Sequence, residues 1–90
     1  MRVKFFAYFR DYTDCRETDV PVVPTIGDLA RMLSDQYGPK LREKLLTADG
    51  ELGPDLIIMI NGRHIAHLGG IDAPLTDDDI VQIFPKVAGG

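Results

Sequence analysis

The first ten residues alternate between two sets of side chains with a period of two. One set is Val3, Phe5, Ala7 and Phe9, and the other is Lys4, Phe6, Tyr8 and Arg10. This period predicts a β-strand over residues 2–10. The polar run 11–19 is predicted to be a loop. Residues 20–24 then predict a second strand, placed at a sheet edge because their prolines lack ladder donors.

A helical pattern follows at residue 25. Thr25 is a suitable N-cap, and Asp28 stands three residues later as a capping-box-like partner. Apolar residues then recur at helical spacing at Ile26, Leu29, Ala30, Leu33 and Tyr37. Gly38-Pro39 predicts the end of this helix. A shorter amphipathic helix or turn is expected after Pro39.

The second half of the chain reads as strands joined by short turns. The apolar run 56–60 predicts a central strand, and Asn61-Gly62 predicts a hairpin into a brief strand over 63–66. Residues 71–75 are predicted to be an irregular turn, and 80–84 a last strand that Pro85 ends. Strands before and after one long helix predict an α+β fold, with a mixed sheet of about five strands packed on that helix.

Composition narrows the functional classes. Ninety residues form a single domain, and the net charge of −4 argues against a nucleic-acid-binding protein. An acidic chain also suits docking on a basic patch of a partner. The lone Cys15 excludes an intramolecular disulfide, and no apolar stretch has the length of a membrane span. We therefore expect a cytoplasmic protein that binds neither nucleic acid nor membrane.

Three other features have ordinary explanations. Cys15 lies in a polar segment without a paired His or Cys, so an incidental cysteine is the favoured interpretation. His64 and His67 lack a third ligand, which favours a solvated surface and no metal site. Residues 77–79 are three aspartates without EF-hand spacing, and a charged turn is favoured.

The chain ends on Gly89-Gly90, at the tip of a segment with little side-chain bulk. Glycine loses the most conformational freedom on ordering, so ordering this tip has a high entropic cost. Such a tip makes chemical sense if the arm must thread a narrow channel with its carboxylate as the reacting group. A frayed terminus without function is the alternative. We divide the chain into a folded domain, 1–84, and a flexible tail, 85–90.

Four segments carry a family resemblance: 3–10 (VKFFAYFR), 25–29 (TIGDL), 58–62 (IMING) and 75–90, which closes with Ile-Phe-Pro-Lys-Val-Ala-Gly-Gly. Together they resemble the ubiquitin-like sulfur carriers, above all the small subunit of molybdopterin synthase (MoaD), with the thiamin-pathway carrier ThiS as a relative. The chain departs from the pattern at Lys86, where many members have proline, and at Asp78, where glycine is common.

The resemblance implies a ubiquitin-like β-grasp fold and a reactive C-terminus at Gly90, supported by Gly89. A ubiquitin-activating-enzyme-like partner would adenylate the Gly90 carboxylate with ATP, and sulfur delivery would give a thiocarboxylate. The tail would then enter the large subunit of molybdopterin synthase and donate sulfur to a pterin precursor. The chain itself would hold no cofactor and no catalytic site of its own, and would serve as the sulfur-donating small subunit of a transferase.

Several alternatives stay open at this point. The sulfur acceptor could belong to a tungsten-cofactor, thiazole or tRNA-thiolation pathway. The protein could instead be a modifier conjugated to lysines, or an interaction domain with an inert tail. The candidate partner-binding residues are Phe6, Tyr8, Phe84, Pro85, Lys86, Val87 and Ala88.

Overall fold

The computed structural model describes residues 1–86 of the chain. Its strands are β1 (Arg2–Phe5), β2 (Glu17–Asp19), β3 (Leu56–Ile60), β4 (Arg63–His64) and β5 (Ile80–Pro85). Its α-helices are α1 (Tyr8–Thr13), α2 (Ile26–Tyr37) and α3 (Pro39–Leu45), and two 3-10 turns span Ile65–His67 and Gly70–Asp72.

The strands form one mixed sheet in the order β2-β1-β5-β3-β4. The last strand, β5, lies at the centre, parallel to β1 on one side and antiparallel to β3 on the other. The chain therefore inserts its final strand between strands from its two halves. The predicted α+β class, with about five strands on one main helix, is confirmed.

Alternation along the central strands separates a core face from an outer face. Residues on the core face are fully or almost fully buried: Val3, Phe5, Ile58, Ile60, Val81 and Ile83. The apolar stripe of α2 covers them through Ile26, Leu29, Ala30 and Leu33, and α3 adds Leu41 and Leu45. Burying side chains of this size contributes about 1.5–3 kcal/mol each. Among the described elements, no helix covers the opposite face of the sheet, and the side chains there are half-buried or exposed.

The predicted start and end of the main helix are both confirmed. Thr25 Oγ1 accepts a hydrogen bond from the backbone N–H of Asp28 at 3.3 Å and donates one to the Asp28 carboxylate at 2.9 Å. Arg31 also donates to this carboxylate, and these bonds lower the pKa of Asp28. Gly38 ends α2 at φ 97°, and Pro39 begins α3. The hairpin prediction holds as well, since Asn61 and Gly62 both have positive φ, 53° and 83°.

The predicted strand over residues 2–10 is wrong beyond Phe5. At Ala7 the backbone takes φ 52°, which stops the strand, and α1 begins at Tyr8. The turn still buries Phe9, which the period-two pattern also placed inside, but from a helix packed beside the sheet. Thr13, buried at the end of α1, donates its hydroxyl to Phe9 O at 2.9 Å. The spacing of the aromatic residues in this short segment is therefore compatible both with a strand of period two and with a helical turn.

The second strand also lies elsewhere than predicted. β2 falls at 17–19, inside the segment predicted to be a loop, and residues 20–24 form no strand. It pairs antiparallel with β1, with Lys4 opposite Glu17. Pro21 and Pro24 lack the N–H groups that continued pairing needs, so the ladder uses the polar residues before them. The prediction that the second strand lies at a sheet edge was correct, but the residues predicted to form that strand were wrong.

Within residues 1–86, none of the helices combines the length and the apolar character needed to cross a bilayer.

Candidate functional site

The C-terminal end of β5 is held to the start of β3. Pro85 lies opposite Leu56, and the backbone N–H of Lys86 donates to Asp55 O at 2.8 Å. The strand therefore runs one residue beyond the predicted end at Phe84. The predicted site residues Val87, Ala88, Gly89 and Gly90 lie outside the described residues, and the tail boundary at 84/85 stays a prediction.

An aromatic pair lies beside this exit point on the outer face. The rings of Phe6 and Phe84 stack with centroids 4.2 Å apart and 11° between their planes. The backbone N–H of Phe6 donates to Ile83 O at 3.1 Å, which extends the β1–β5 ladder by one residue. The structure thus brings together two predicted partner-binding residues from opposite ends of the chain.

Further apolar side chains continue this surface across β3. Ile57 pairs with Phe84 and Met59 with Gln82, so both lie on the outer face. We call Phe6, Ile57, Met59 and Phe84 the outer-face patch. All four are only half-buried, and Ile80 at the start of β5 is 39% exposed. Exposed apolar surface on a small domain is typical of a partner-binding site.

Arg10 lies beside this aromatic pair, although it was not among the candidate partner-binding residues. Its Nε donates to Phe5 O at 2.9 Å, and its guanidinium carbon lies 5.4 Å from the centroid of the Phe6 ring. The side chain is therefore held against the aromatic pair. A helix starting near Tyr8 would have brought Arg10 back toward Phe6, so recognising that helix was the missing signal.

Tyr8 occupies a different surface from Phe6, although the predicted strand placed both on one side. It packs in α1 against Phe9 and Tyr12, with ring centroids 4.9 Å and 5.5 Å away. Lys44 of α3 places its Nζ 5.5 Å from the Tyr8 ring. The turn at Ala7 causes this separation. The roles of the candidate residues in partner binding stay predictions.

Charge is distributed unevenly over the outer face. At the β2 edge, Arg2 pairs with Glu17 at 3.3 Å and Asp19 at 3.1 Å, and the hydrogen bond to Asp19 raises the pKa of Arg2. Lys4 and Lys86 make no ion pair within residues 1–86, and neither does Arg10. In the part of the chain that the structure describes, carboxylates thus hold Arg2 in ion pairs, whereas Lys4, Arg10 and Lys86 have none.

A polar network fixes the opposite end of β5. The Asn61 side chain donates to the Asp79 carboxylate at 2.9 Å and accepts from Ile80 N–H at 2.9 Å. Thr76 N–H donates to the same carboxylate at 2.8 Å. Burial alone would raise the pKa of Asp79, but the bonds from Thr76 and Asn61 outweigh it and lower the pKa. This network fixes where β5 begins.

The remaining candidates stand apart from this surface. Cys15 Sγ lies 3.7 Å from the Tyr37 hydroxyl, and burial raises the pKa of Tyr37. The rings of His64 and His67 are 6.3 Å apart, and His64 Nδ1 accepts from Ala66 N–H. Across residues 1–86, no three His, Cys, Asp or Glu side chains are grouped closely enough to hold a metal ion.

The five-stranded mixed sheet with its last strand at the centre, packed on one main helix, defines the class of the protein: a ubiquitin-like β-grasp domain. The chain belongs to the ThiS family, whose sequence model matches residues 3–90. This family and its relatives comprise ubiquitin-like sulfur carriers and modifiers.

The similar proteins include some named as modifiers and one named as a subunit of a molybdopterin converting factor. Small archaeal modifier protein 3 of Haloferax volcanii is 37% identical over 92 residues, covering 100% of this chain and 98% of its own. The solution structure of small archaeal modifier protein 1 from Methanosarcina acetivorans matches with a TM-score of 0.84 and 32% identity, covering 99% of this chain and 94% of its own. A Pyrococcus furiosus protein assigned as subunit 1 of a molybdopterin converting factor matches with a TM-score of 0.76 and 27% identity, covering 96% and 95%.

Proposed function

We propose that this protein is a sulfur carrier whose Gly90 carboxylate is adenylated and converted to a thiocarboxylate, with a pterin precursor of molybdopterin as the sulfur acceptor. One observation carries the proposal. Strand β5 is anchored on both sides until Lys86 bonds to Asp55, four residues before the C-terminal carboxylate. Residues up to Lys86 thus form a fixed base beside an apolar patch, which supports a C-terminal carboxylate that reaches a partner from that base.

The chemistry requires a partner. A C-terminal carboxylate has a pKa of about 3.3–3.7, so at neutral pH it is an anion and a poor electrophile. Its oxygen would attack the α-phosphorus of ATP in the activating enzyme, and pyrophosphate would leave. A sulfur nucleophile would then attack the carbonyl carbon of the acyl adenylate and expel AMP. With a persulfide as the nucleophile, the product would be an acyl disulfide with the donor; a thiol would then attack the donor's sulfur, take the donor into a new disulfide and leave the thiocarboxylate on Gly90.

The anchor at Lys86 sets the reach of the carboxylate. Six residues counted from Pro85 would span about 20 Å, but the four residues after Lys86 span at most about 14 Å when extended. Ordering them in a channel costs roughly 1–2 kcal/mol each in backbone entropy. Contacts made by the folded domain must offset that cost, and the outer-face patch is the surface next to the exit.

The acceptor is the finer part of the proposal. The closing sequence Ile-Phe-Pro-Lys-Val-Ala-Gly-Gly and the likeness to the Pyrococcus furiosus protein support a pterin precursor, with the large subunit of molybdopterin synthase as second partner. Tungsten-cofactor, thiazole and tRNA-thiolation pathways are the other acceptors. Protein modification is a second candidate function, because the relatives at 37% and 32% identity carry the name of modifier proteins.

The test begins with protein purified from its native cells. We expect intact-mass analysis to find a fraction in which one oxygen at Gly90 is replaced by sulfur. Removing Gly90, or adding one residue after it, should abolish this fraction and leave the thermal unfolding midpoint unchanged. A deletion variant that still acquires sulfur would refute the proposal.

Two further measurements separate the destinations. The thiocarboxylate form, mixed with the large synthase subunit and pterin precursor, should generate the dithiolene product. Binding without turnover would contradict the pterin assignment. Isopeptide adducts of Gly90 on lysines of other proteins, found by peptide mass spectrometry, would favour the modifier function.

A further inference from the structure

The guanidinium of Arg10 is positioned before any partner arrives. Its Nε is bonded to Phe5 O at 2.9 Å, and its carbon lies 5.4 Å from the centre of the Phe6 ring. Phe6 in turn stacks on Phe84, two residues before Lys86. The arginine therefore has a fixed place beside the base of the tail.

The terminal amino groups of this arginine have no carboxylate among the described residues. Within residues 1–86, Arg10 makes no ion pair, and its hydrogen bond to Phe5 O uses Nε. A guanidinium presents a planar fork of donors that matches a carboxylate in two-point geometry. Because its side chain is already ordered, less freedom is lost when such a carboxylate binds.

Acidic residues lie near this region, but none of them forms an ion pair with Arg10 within residues 1–86. Glu17, opposite Lys4, is engaged by Arg2 at 3.3 Å, and Asp11 and Asp55 are exposed without an ion pair among residues 1–86. The fork of Arg10 is therefore left available to a carboxylate of another protein.

We propose that Arg10 is a docking residue that receives a carboxylate of the activating enzyme, at an acidic mouth of the channel that admits the tail. This inference rests on the proposed function and adds the chemistry of the partner's surface. It reverses the expectation from net charge, which assigned a basic patch to the partner. The outer-face patch supplies apolar contact, and Arg10 supplies orientation and attraction at the rim.

The experiment measures ATP–pyrophosphate exchange by the purified activating enzyme of the same cell, as a function of carrier concentration. Arg10→Glu is expected to raise the apparent KM at least tenfold with kcat within about twofold. Arg10→Lys should give a smaller rise, because an ammonium keeps the charge and loses the fork. Arg63→Glu is the matched control: it makes the same charge change on an exposed β4 residue at the other end of the sheet, and should behave as wild type.

The dependence of KM on salt and the thermal unfolding midpoint of each variant are measured as well. The wild-type KM should rise with sodium chloride, and the KM of Arg10→Glu should lose that rise or reverse it. Arg10→Gln can still donate a hydrogen bond, and it replaces the glutamate variant if the latter's unfolding midpoint falls. A higher KM in Arg10→Gln than in wild type supports the proposal.

Three outcomes would overturn it. Equal KM values for wild type and Arg10→Glu reject the docking role and leave the sulfur-carrier function intact. Loss of kcat at unchanged KM assigns Arg10 to the nucleotide chemistry and rejects docking. Failure of the wild-type chain to support any exchange refutes the proposed function, and this inference with it.

Discussion

The ring of Phe6, just after the first strand, stacks on the ring of Phe84, near the end of the last strand, with centroids 4.2 Å apart. Residues at opposite ends of the sequence become neighbours because β1 and β5 pair in parallel. The contact joins the outer face to the point where the tail leaves the fold. We therefore expect the contact to stabilise the domain and to fix the shape of the outer-face patch.

The first prediction concerns that pair. Phe6→Ala and Phe84→Ala should each destabilise the domain, and a double-mutant cycle should give a coupling of about 0.5–1.5 kcal/mol, the range for stacked aromatic pairs. Denaturant unfolding measures all four proteins. The pair Tyr12→Ala and Phe84→Ala is the control and should be additive. Additivity for Phe6 and Phe84 as well would show that the stack contributes no specific energy.

The second prediction concerns Asn61, which joins the β3–β4 hairpin to the start of β5. Asn61→Asp keeps an oxygen acceptor for Ile80 N–H but places a second carboxylate beside Asp79. We expect a loss of about 1–3 kcal/mol at pH 7, because two hydrogen-bonded partners become like charges. Asn61→Gly tolerates the φ of 53° and serves as the control for backbone strain.

Partial recovery of Asn61→Asp in acid would confirm this cause, because protonating one carboxylate removes the repulsion. Thermal unfolding from pH 7 down to pH 4 measures the recovery. If Asn61→Asp and Asn61→Gly show the same pH dependence, the repulsion is absent.

The third prediction follows from the lowered pKa of Asp79. A carboxyl whose pKa is lower in the folded state stabilises the fold above its unfolded pKa. That contribution disappears as pH falls through the folded value, so wild type should lose stability from about pH 4 downward, given an unshifted value of 3.8. Asp79→Asn should be less stable at pH 7 and show a weaker loss on acidification. Asp78→Asn, at an exposed neighbour, is the control and should follow the wild-type curve.

The fourth prediction concerns Gly53, which lies against the end of α3. A Cβ built at this residue would lie 2.2 Å from Lys44 O, and Gly53 N–H donates to Leu45 O at 2.9 Å. Gly53→Ala should therefore cost about 3 kcal/mol, because backbone atoms must shift. Gly50→Ala meets no atom within 4 Å but has φ +81°, so about 1–2 kcal/mol is expected there. Equal losses in chemical denaturation would reject the steric argument.

Most of the fold could be predicted because its elements are strongly patterned. The cap at Thr25, the end at Gly38 and the turn at Asn61-Gly62 each impose a backbone geometry that few alternatives satisfy. Residues 6–19 could not be predicted in the same way. Their aromatic residues fit a strand and a helix turn equally well, and only the positive φ of Ala7 decides between them.

In the candidate site as well, the contacts that depend on α1 were harder to predict than those of the strands. Phe6 was found from strand alternation, which holds to the end of β1, and Phe84 was named as a candidate partner-binding residue beside the tail. The side of the sheet predicted for Tyr8 was wrong and the contact of Arg10 with Phe6 was not predicted, because both depend on the helix α1. The net charge was also of little use for predicting the site, since a value of −4 does not show where the cations lie.

The parallel pairing of β1 and β5 also has a mechanical consequence. A pull on the C-terminus, opposed at the N-terminus of the chain, acts along the two strands in opposite directions. Their hydrogen bonds are then loaded together in shear and cannot open one at a time. The antiparallel ladder with β3 adds a second row of bonds to the same strand. We therefore expect the domain to resist a force applied to its C-terminus, whether by a partner or by an unfolding enzyme, until the whole domain unfolds.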